Sequence, residues 1–147
     1  MLTAKDIMHP RVSLHAKDKG DDVVRKLMCS YPALPVVNDN LEVIGMVSEY
    51  DVLSAIKERR TIHEFSAESL MTCGSRIGTE VCPTPVTVQQ DTPIDNIVDI
   101  LHSTKFLVLP VVNGNKLVGI INRKNIINAL AEQGFWPEHE FQKRTPR

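Results

Sequence analysis

The sequence contains the same ordered set of short apolar segments twice. The segment LPVVN at 34–38 recurs at 109–113, and the pattern of VIGMV at 43–47 recurs as LVGII at 117–121. Two further pairs fit the same alignment, 12–14 with 86–88 and 23–27 with 97–101. All four pairs are separated by 74 or 75 residues. Because independent segments keep one separation, the chain is a duplication, and both copies must form the same local structure.

Each copy is predicted to begin with a short strand and a helix. The strands are expected over about 12–14 and 86–88, where apolar and hydroxyl-bearing residues alternate. The helices that follow are expected to begin at capping residues, Asp18 in the first copy and Thr92 in the second. Each is followed three residues later by an acid, as in a capping box.

The second part of each copy is predicted to be a strand hairpin followed by a helix. The segments NDN at 38–40 and NGN at 113–115 have the composition of hairpin turns. Helical spacing of apolar residues then runs over about 49–58 and 123–133. The repeated unit is therefore βαββα, and the fold class is mixed α/β (α+β).

The two copies are expected to pack on each other about a pseudo-two-fold axis. A unit of this size has too little surface to bury its own sheet, so each copy needs the other. We place the first repeat at 1–60 and the second at 61–134, with an inserted loop at 73–82 and a C-terminal tail at 135–147. A cleft between such repeats is a favourable place for a small ligand.

Composition excludes several classes of protein. The net charge of −1 argues against a nucleic-acid partner, and no apolar run is long enough for a membrane span. Three cysteines without zinc spacing fit a reducing compartment, so the expected location is the cytoplasm. Five scattered histidines indicate no metal site. No phosphate-binding glycine loop or nucleophile–base pair is present, which indicates that the protein is not an enzyme.

The segment GMVSEYD at 45–51 supports two interpretations. Ser48 and Asp51 suit the start of a helix, where a hydroxyl caps free N–H groups and an acid complements the helix dipole. Alternatively, the hydroxyl and carboxylate, three residues apart, can bind the two hydroxyls of a ribose.

The chain resembles the cystathionine β-synthase (CBS) domain pair, or Bateman module. The resemblance rests on the duplication, on LPVV in both copies, on the opening DIMHP at 6–10 and on GMVSEYD. It implies paired clefts that bind adenosine-containing molecules, namely AMP, ADP, ATP or S-adenosylmethionine, as regulatory ligands and not as required cofactors. It also implies a homodimer and an effector protein whose identity the sequence does not give.

The resemblance also implies which residues form the main cleft. Ser48 and Asp51 match the positions that hold the ribose, and Lys124 matches a frequent phosphate contact. The remaining expected contacts to the ligand are Met46, Thr84, Pro85, Val86, Leu107 and Val108.

The second cleft departs from the family pattern. Asn122 and Asn125 replace the hydroxyl and the carboxylate, and a neutral amide is a weaker acceptor. Its expected walls are Pro10, Arg11, Val12, Pro32 and Ala33. We therefore expect this cleft to bind weakly, to be empty or to serve another ligand.

The resemblance also bears on the ligand, because family members that hold polyphosphates often carry His or Arg just before LPVV, whereas this chain has YPA at 31–33 and FLV at 106–108. A monophosphate such as AMP, or a nucleoside-like ligand, is therefore favoured over ATP. The alternative is a structural or interaction module that has vestigial clefts and acts by dimerisation or partner docking without ligand.

Overall fold

The structure is a computed structural model that describes residues 2–29, 31–58, 60–71, 85–104 and 106–134. The predictions for the loop at 73–82, for the tail at 135–147 and for Thr84 lie outside the described residues.

The first repeat contains a βαββα unit preceded by a short helix and strand. Its elements are α1 (Ala4–Ile7), β1 (His9–Pro10), β2 (Leu14–His15), α2 (Gly20–Met28), β3 (Ala33–Val37), β4 (Val43–Ser48) and α3 (Glu49–Lys57). The first strand of the unit was predicted about two residues too early.

The second repeat has the same order of elements. A 3-10 turn at Ile62–Glu64 and α4 (Ala67–Leu70) precede β5 (Val88–Gln89), α5 (Ile94–Thr104), β6 (Val108–Asn113), β7 (Lys116–Asn122) and α6 (Arg123–Glu132). The predicted βαββα unit is therefore confirmed in both copies.

Two small sheets carry the repeats. The first has the order β2-β3-β4 and the second the order β1-β7-β6-β5. In each sheet the short first strand is parallel to the central strand, with Leu14 opposite Val36 and Val88 opposite Val111. The central strands are wholly buried apart from Asn113, so their near-continuous apolar sequence reflects cover on both faces.

The side chains of the two predicted cap residues bind amides of the preceding strands. Lys19 is the N-cap of α2, and the Asp18 carboxylate instead accepts a hydrogen bond from the His15 amide at 2.9 Å. The Thr92 hydroxyl likewise accepts from the Gln89 amide at 3.1 Å. Both side chains satisfy an amide at the end of the preceding strand, a common use of these residues in turns. The prediction that Asp18 caps α2 is therefore wrong.

The hairpin turns differ in length. Gly114 and Asn115 connect β6 to β7, and Gly114 has a φ of 64°, which favours glycine. In the first repeat five residues connect the strands, and Leu41 has a φ of 62°. The Leu41 carbonyl accepts a hydrogen bond from the Leu117 amide at 2.9 Å, so the two hairpins contact each other.

Each short leading helix packs on the other repeat. Ala4 and Ile7 of α1 lie in the second core cluster, around Val88 and Ile97, whereas Ala67 and Leu70 of α4 lie in the first. Backbone hydrogen bonds repeat this exchange. They are Ala4 N to Thr92 O, Lys5 N to Gln90 O and Ile94 N to Leu2 O, matched by Ala67 N to Asp18 O, Glu68 N to Ala16 O and Gly20 N to Phe65 O. The pseudo-two-fold arrangement is therefore confirmed at the level of single bonds.

The repeats share a packed interface at their central strands. Val108 of β6 and Ile120 of β7 are buried in the first core cluster with Ala33 and Met46. This contact gives each sheet the cover that it lacks alone.

Candidate functional site

The Ser48 and Asp51 side chains bind each other at the start of α3. The Asp51 Oδ2 accepts hydrogen bonds from the Ser48 amide at 2.8 Å and the Ser48 hydroxyl at 3.0 Å. The Asp51 amide donates to Ser48 Oγ at 3.2 Å, which completes a capping box. Ser48 is fully buried and Asp51 is 3% exposed. The helix-start interpretation of this pair is confirmed.

Asn122 and Asn125 form the equivalent capping box at the start of α6. The Asn122 amide donates to Asn125 Oδ1 at 2.8 Å, and the Asn125 amide donates to Asn122 Oδ1 at 2.9 Å. Both residues are half-buried. Replacing the hydroxyl and carboxylate by amides therefore preserves the cap, while these side chains are more accessible than Ser48 and Asp51.

A cavity of about 250 Å³ lies between the repeats. Its described lining residues are Pro32, Leu107, Asn122, Arg123 and Lys124. Pro32 and Leu107 are equivalent positions, each directly before a central strand. The Pro32 carbonyl accepts a hydrogen bond from the Glu49 amide at 2.9 Å, so the cavity wall is also joined to the start of α3.

The cavity contains two exposed cations at the start of a helix. Arg123 and Lys124 occupy the first turn of α6, which contains no acid. The N-terminal end of a helix carries a partial positive charge, so basic residues there weaken the helix slightly and raise the local potential. Within the described residues neither side chain forms a salt bridge. This end of the cavity is therefore suited to an anionic group.

The structure combines residues that the sequence assigned to separate clefts. Leu107 and Lys124, expected in the main cleft, line this cavity together with Pro32 and Asn122, expected in the second. Pro85 instead lines another cavity of about 310 Å³ near the hairpin turns.

The other predicted contacts lie in three environments. Met46, Val108 and Ala33 are buried in the first core cluster, Val12 packs partly buried against it, and Val86 packs against the second cluster. Pro10 and Arg11 are exposed at the end of β1, where Pro10 lies opposite Gly119.

Sequence reasoning named Arg123 only as a possible source of charge and not as a lining residue, and it did not find the contact between His9 and Tyr31. The Tyr31 hydroxyl lies 3.0 Å from His9 Nδ1 and 3.1 Å from Nε2, and the rings meet edge to face at 5.5 Å. This contact joins β1, on the second sheet, to the residue before Pro32. Burial raises the pKa of the Tyr31 phenol. The signal for Arg123 was a basic pair at a helix start, where an acid is usual.

Two other kinds of site are absent from the described residues. In the part of the chain that the structure describes, no group of three or more His, Cys, Asp or Glu residues is placed to hold a metal ion. None of the described helices has the length and hydropathy required to cross a membrane.

Comparison with known proteins identifies the repeats. A family model described as CBS domain matches residues 4–58 and again 77–132. CBSX2, a chloroplastic CBS domain-containing protein of Arabidopsis thaliana, is 32% identical over 152 residues, covering 88% of this chain and 64% of the relative. The related CBSX1 is 33% identical over 116 residues, covering 67% of this chain and 49% of its own length. The chain thus spans about half to two thirds of these relatives.

Solved structures show the same fold. A crystal structure of CBSX2 in complex with AMP superposes with a TM-score of 0.75 at 30% identity, covering 90% of this chain and 98% of that one. The CBS domain pair of protein MJ0100, in complex with 5′-methylthioadenosine and S-adenosyl-L-methionine, gives a TM-score of 0.70 and covers 90% and 98% of the two chains. At 18% identity the second likeness shows the fold alone.

Proposed function

We propose, since this chain belongs to the CBS domain family, that it is a non-enzymatic regulatory module for an adenosine-containing ligand. The observation that carries the proposal is the cavity between the repeats, with Arg123 and Lys124 at one end. The AMP complex of CBSX2 supports the ligand class, because that chain is matched over nearly its whole length.

The charge of the cavity favours AMP over ligands with more phosphate groups. Two cations provide counter-charge for one phosphate group. ADP and ATP carry additional phosphates, and S-adenosylmethionine, which the family resemblance also implies, carries none.

We place the phosphate of AMP at Lys124 and Arg123 and the nucleoside between Pro32 and Leu107. The ribose is proposed to reach Ser48 and Asp51, which adjoin the cavity wall because Glu49 binds the Pro32 carbonyl. There the ribose hydroxyls would donate hydrogen bonds to the Asp51 carboxylate. These bonds would take the place of the one that the Ser48 hydroxyl donates to Asp51 Oδ2.

The regulatory role is proposed to operate through other chains. Ligand binding at the junction of the repeats would change the surface by which a homodimer of this chain contacts a separate effector protein. We also propose that the protein is located in the cytoplasm.

Isothermal titration calorimetry with AMP and adenosine tests the site. Lys124→Ala should weaken AMP binding about tenfold and leave adenosine binding unchanged. The substitution removes a charge-assisted hydrogen bond to the phosphate, which adenosine lacks. Lys57→Ala, an exposed lysine at the end of α3, is the matched control and should bind both like the wild type. Equal loss of AMP and adenosine affinity in Lys124→Ala would contradict this placement of the phosphate.

The burial of Asp51 favours a second candidate function. Ser48 and Asp51 already bind each other inside the fold, so helix capping explains this arrangement without a ligand. In that case the protein is a structural or interaction module without ligand. A ligand that binds only the folded state must raise the melting temperature. Nucleotide-free protein whose melting temperature is unchanged by saturating AMP, ADP, ATP and S-adenosylmethionine would establish this alternative.

A further inference from the structure

A contact between two ring side chains joins the repeats beside the cavity. His9 belongs to β1, which pairs with β7 of the second sheet and places His9 opposite Ile120. Tyr31 belongs to the first repeat and directly precedes the cavity residue Pro32. The contact, with distances of 3.0 and 3.1 Å from the Tyr31 hydroxyl to the ring nitrogens of His9, therefore ties the edge of the second sheet to the cavity wall.

The surroundings of His9 assign the donor and the acceptor on its ring. Nδ1 lies 3.0 Å from the carbonyl oxygen of Pro10, which can only accept a hydrogen bond. In the neutral ring Nδ1 therefore carries the proton, and Nε2 accepts the hydrogen of the Tyr31 hydroxyl. Phenylalanine at position 31 would keep the aromatic ring and lose this bond.

The contact connects the two walls that the sequence predicts for the second cleft. Residues 10–12 directly follow His9, and residues 32–33 directly follow Tyr31. Of these five residues, Pro32 is among the described lining residues of the cavity and the other four are not. The cavity therefore stops at Pro32 and does not extend between the two walls.

The equivalent position in the second repeat cannot form this bond. It is occupied by Phe106, which directly precedes Leu107 as Tyr31 precedes Pro32. Phe106 has no hydroxyl and packs partly buried against the second core cluster. Since both repeats form the same βαββα unit, the unit does not require the bond for its fold.

The contact lies where it can open at small cost. His9 is exposed and Tyr31 is half-buried, so water can replace each partner when they separate. Strand β1 is only two residues long and lies at the edge of its sheet. Its second residue, Pro10, has no backbone N–H to donate to β7. Short elements with few hydrogen bonds open locally before the rest of a fold.

We propose that His9 and Tyr31 form a latch that keeps the cavity closed at Pro32, and that ligand entry opens this latch. The inference rests on the function proposed above and adds the regulation of the same site. When the latch opens, the space between residues 10–12 and 32–33 joins the cavity, and the nucleoside gains a second wall opposite Pro32. Because only the open form accepts the whole ligand, the closed latch lowers the apparent affinity in proportion to the fraction of molecules that are open.

Removing the latch should tighten ligand binding, as measured by isothermal titration calorimetry with AMP on nucleotide-free protein. Tyr31→Phe and His9→Ala should each lower the dissociation constant of AMP about three- to tenfold, the range expected when the closed form loses one hydrogen bond. The double variant should gain no more than either single variant, since both changes remove the same bond. His63→Ala removes an exposed histidine of the 3-10 turn and is the matched control, which should bind AMP like the wild type.

The outcomes separate the latch from the function on which it rests. If the wild type binds AMP and Tyr31→Phe binds it equally or more weakly, the latch is overturned and the proposed function stands. Additive effects of the two single variants would also overturn the latch. If neither the wild type nor any variant binds AMP, the function and the latch both fail.

Amide hydrogen exchange without ligand gives an independent test. Residues 9–12 should exchange about threefold faster or more in Tyr31→Phe than in the wild type, because β1 loses its tie to the first repeat. Exchange in α5 and α6 should stay the same. Equal exchange of residues 9–12 in the two proteins would overturn the latch, whether or not AMP binds.

Discussion

At the scale of single residues, the two capping boxes are the sharpest comparison that the chain offers. The same three-residue spacing is occupied by Ser48 with Asp51 and by Asn122 with Asn125, with amide-to-side-chain distances of 2.8–3.2 Å. The pairs differ in burial, since Ser48 is fully buried and Asn122 is half-buried. A polar group that loses its partner costs more when water cannot replace the partner.

This difference predicts unequal costs for removing the two caps. Ser48→Ala should lower the free energy of unfolding by about 2 kcal/mol, the upper end for loss of an N-cap, because the Asp51 carboxylate also loses a donor. Asn122→Ala, the matched substitution, should cost about 1 kcal/mol or less. Urea denaturation at one fixed protein concentration measures both. An equal or larger cost for Asn122→Ala would contradict the role assigned to burial.

At the scale of elements, glycines of β7 and its turn serve two separate requirements. Gly119 allows β1 to approach β7, because a Cβ there would lie 2.5 Å from Met8 Sδ and 2.8 Å from the His9 carbonyl oxygen. Gly114 provides the positive φ of the turn, and a Cβ there would meet nothing within 4 Å. One glycine is required by space and the other by backbone conformation.

Substitution by alanine should separate these two requirements. Gly119→Ala should cost roughly 2–3 kcal/mol of unfolding free energy, since a backbone carbonyl must move and β1 must shift. Gly114→Ala should cost only about 1–2 kcal/mol, the conformational penalty of a non-glycine residue in the left-handed region. Amide exchange of β1 and β7 should rise in Gly119→Ala alone. Undisturbed exchange there would contradict the close approach of the strands.

At the scale of the whole molecule, the exchange of α1 and α4 makes the repeats mutually dependent. Each βαββα unit is covered by the short helix that precedes the other unit along the chain. The boundary drawn at residue 60 from the sequence stays a prediction, but α1 lies on the second repeat and α4 on the first. Packing therefore does not follow the order of the chain.

Truncation of a buried side chain on either short helix should act on the distant repeat. Ile7→Ala should cost about 2–4 kcal/mol and raise amide exchange first in α5 and β7 of the second repeat. Leu70→Ala, the equivalent change on α4, should act first on α2 and β3 of the first repeat. Hydrogen–deuterium exchange mass spectrometry distinguishes the two patterns. If amide protection is lost first in the repeat that follows the mutated helix along the chain, the packing of α1 and α4 on the opposite repeats is contradicted.

The sequence by itself determined the duplication, the βαββα unit and the pairing of two such units, because these follow from local apolar periodicity and from the shortage of core in one unit. It also offered a helix start as one of two interpretations of Ser48 with Asp51. The resemblance to the CBS family named Pro32, Leu107, Asn122 and Lys124 as candidate cleft residues. The cap of α2 was wrongly assigned to Asp18, since a side-chain oxygen in a turn can satisfy either neighbouring element on local grounds.

Only the tertiary structure decided which of these residues share a cavity. Pro32 comes from one repeat and the other three from the second, and their proximity depends on the angle between the two sheets, which local spacing does not encode. The same reason applies to the packing of α1 on the second repeat and to the contact between His9 and Tyr31. These features depend on contacts between residues far apart in the chain, where many arrangements satisfy the same local pattern.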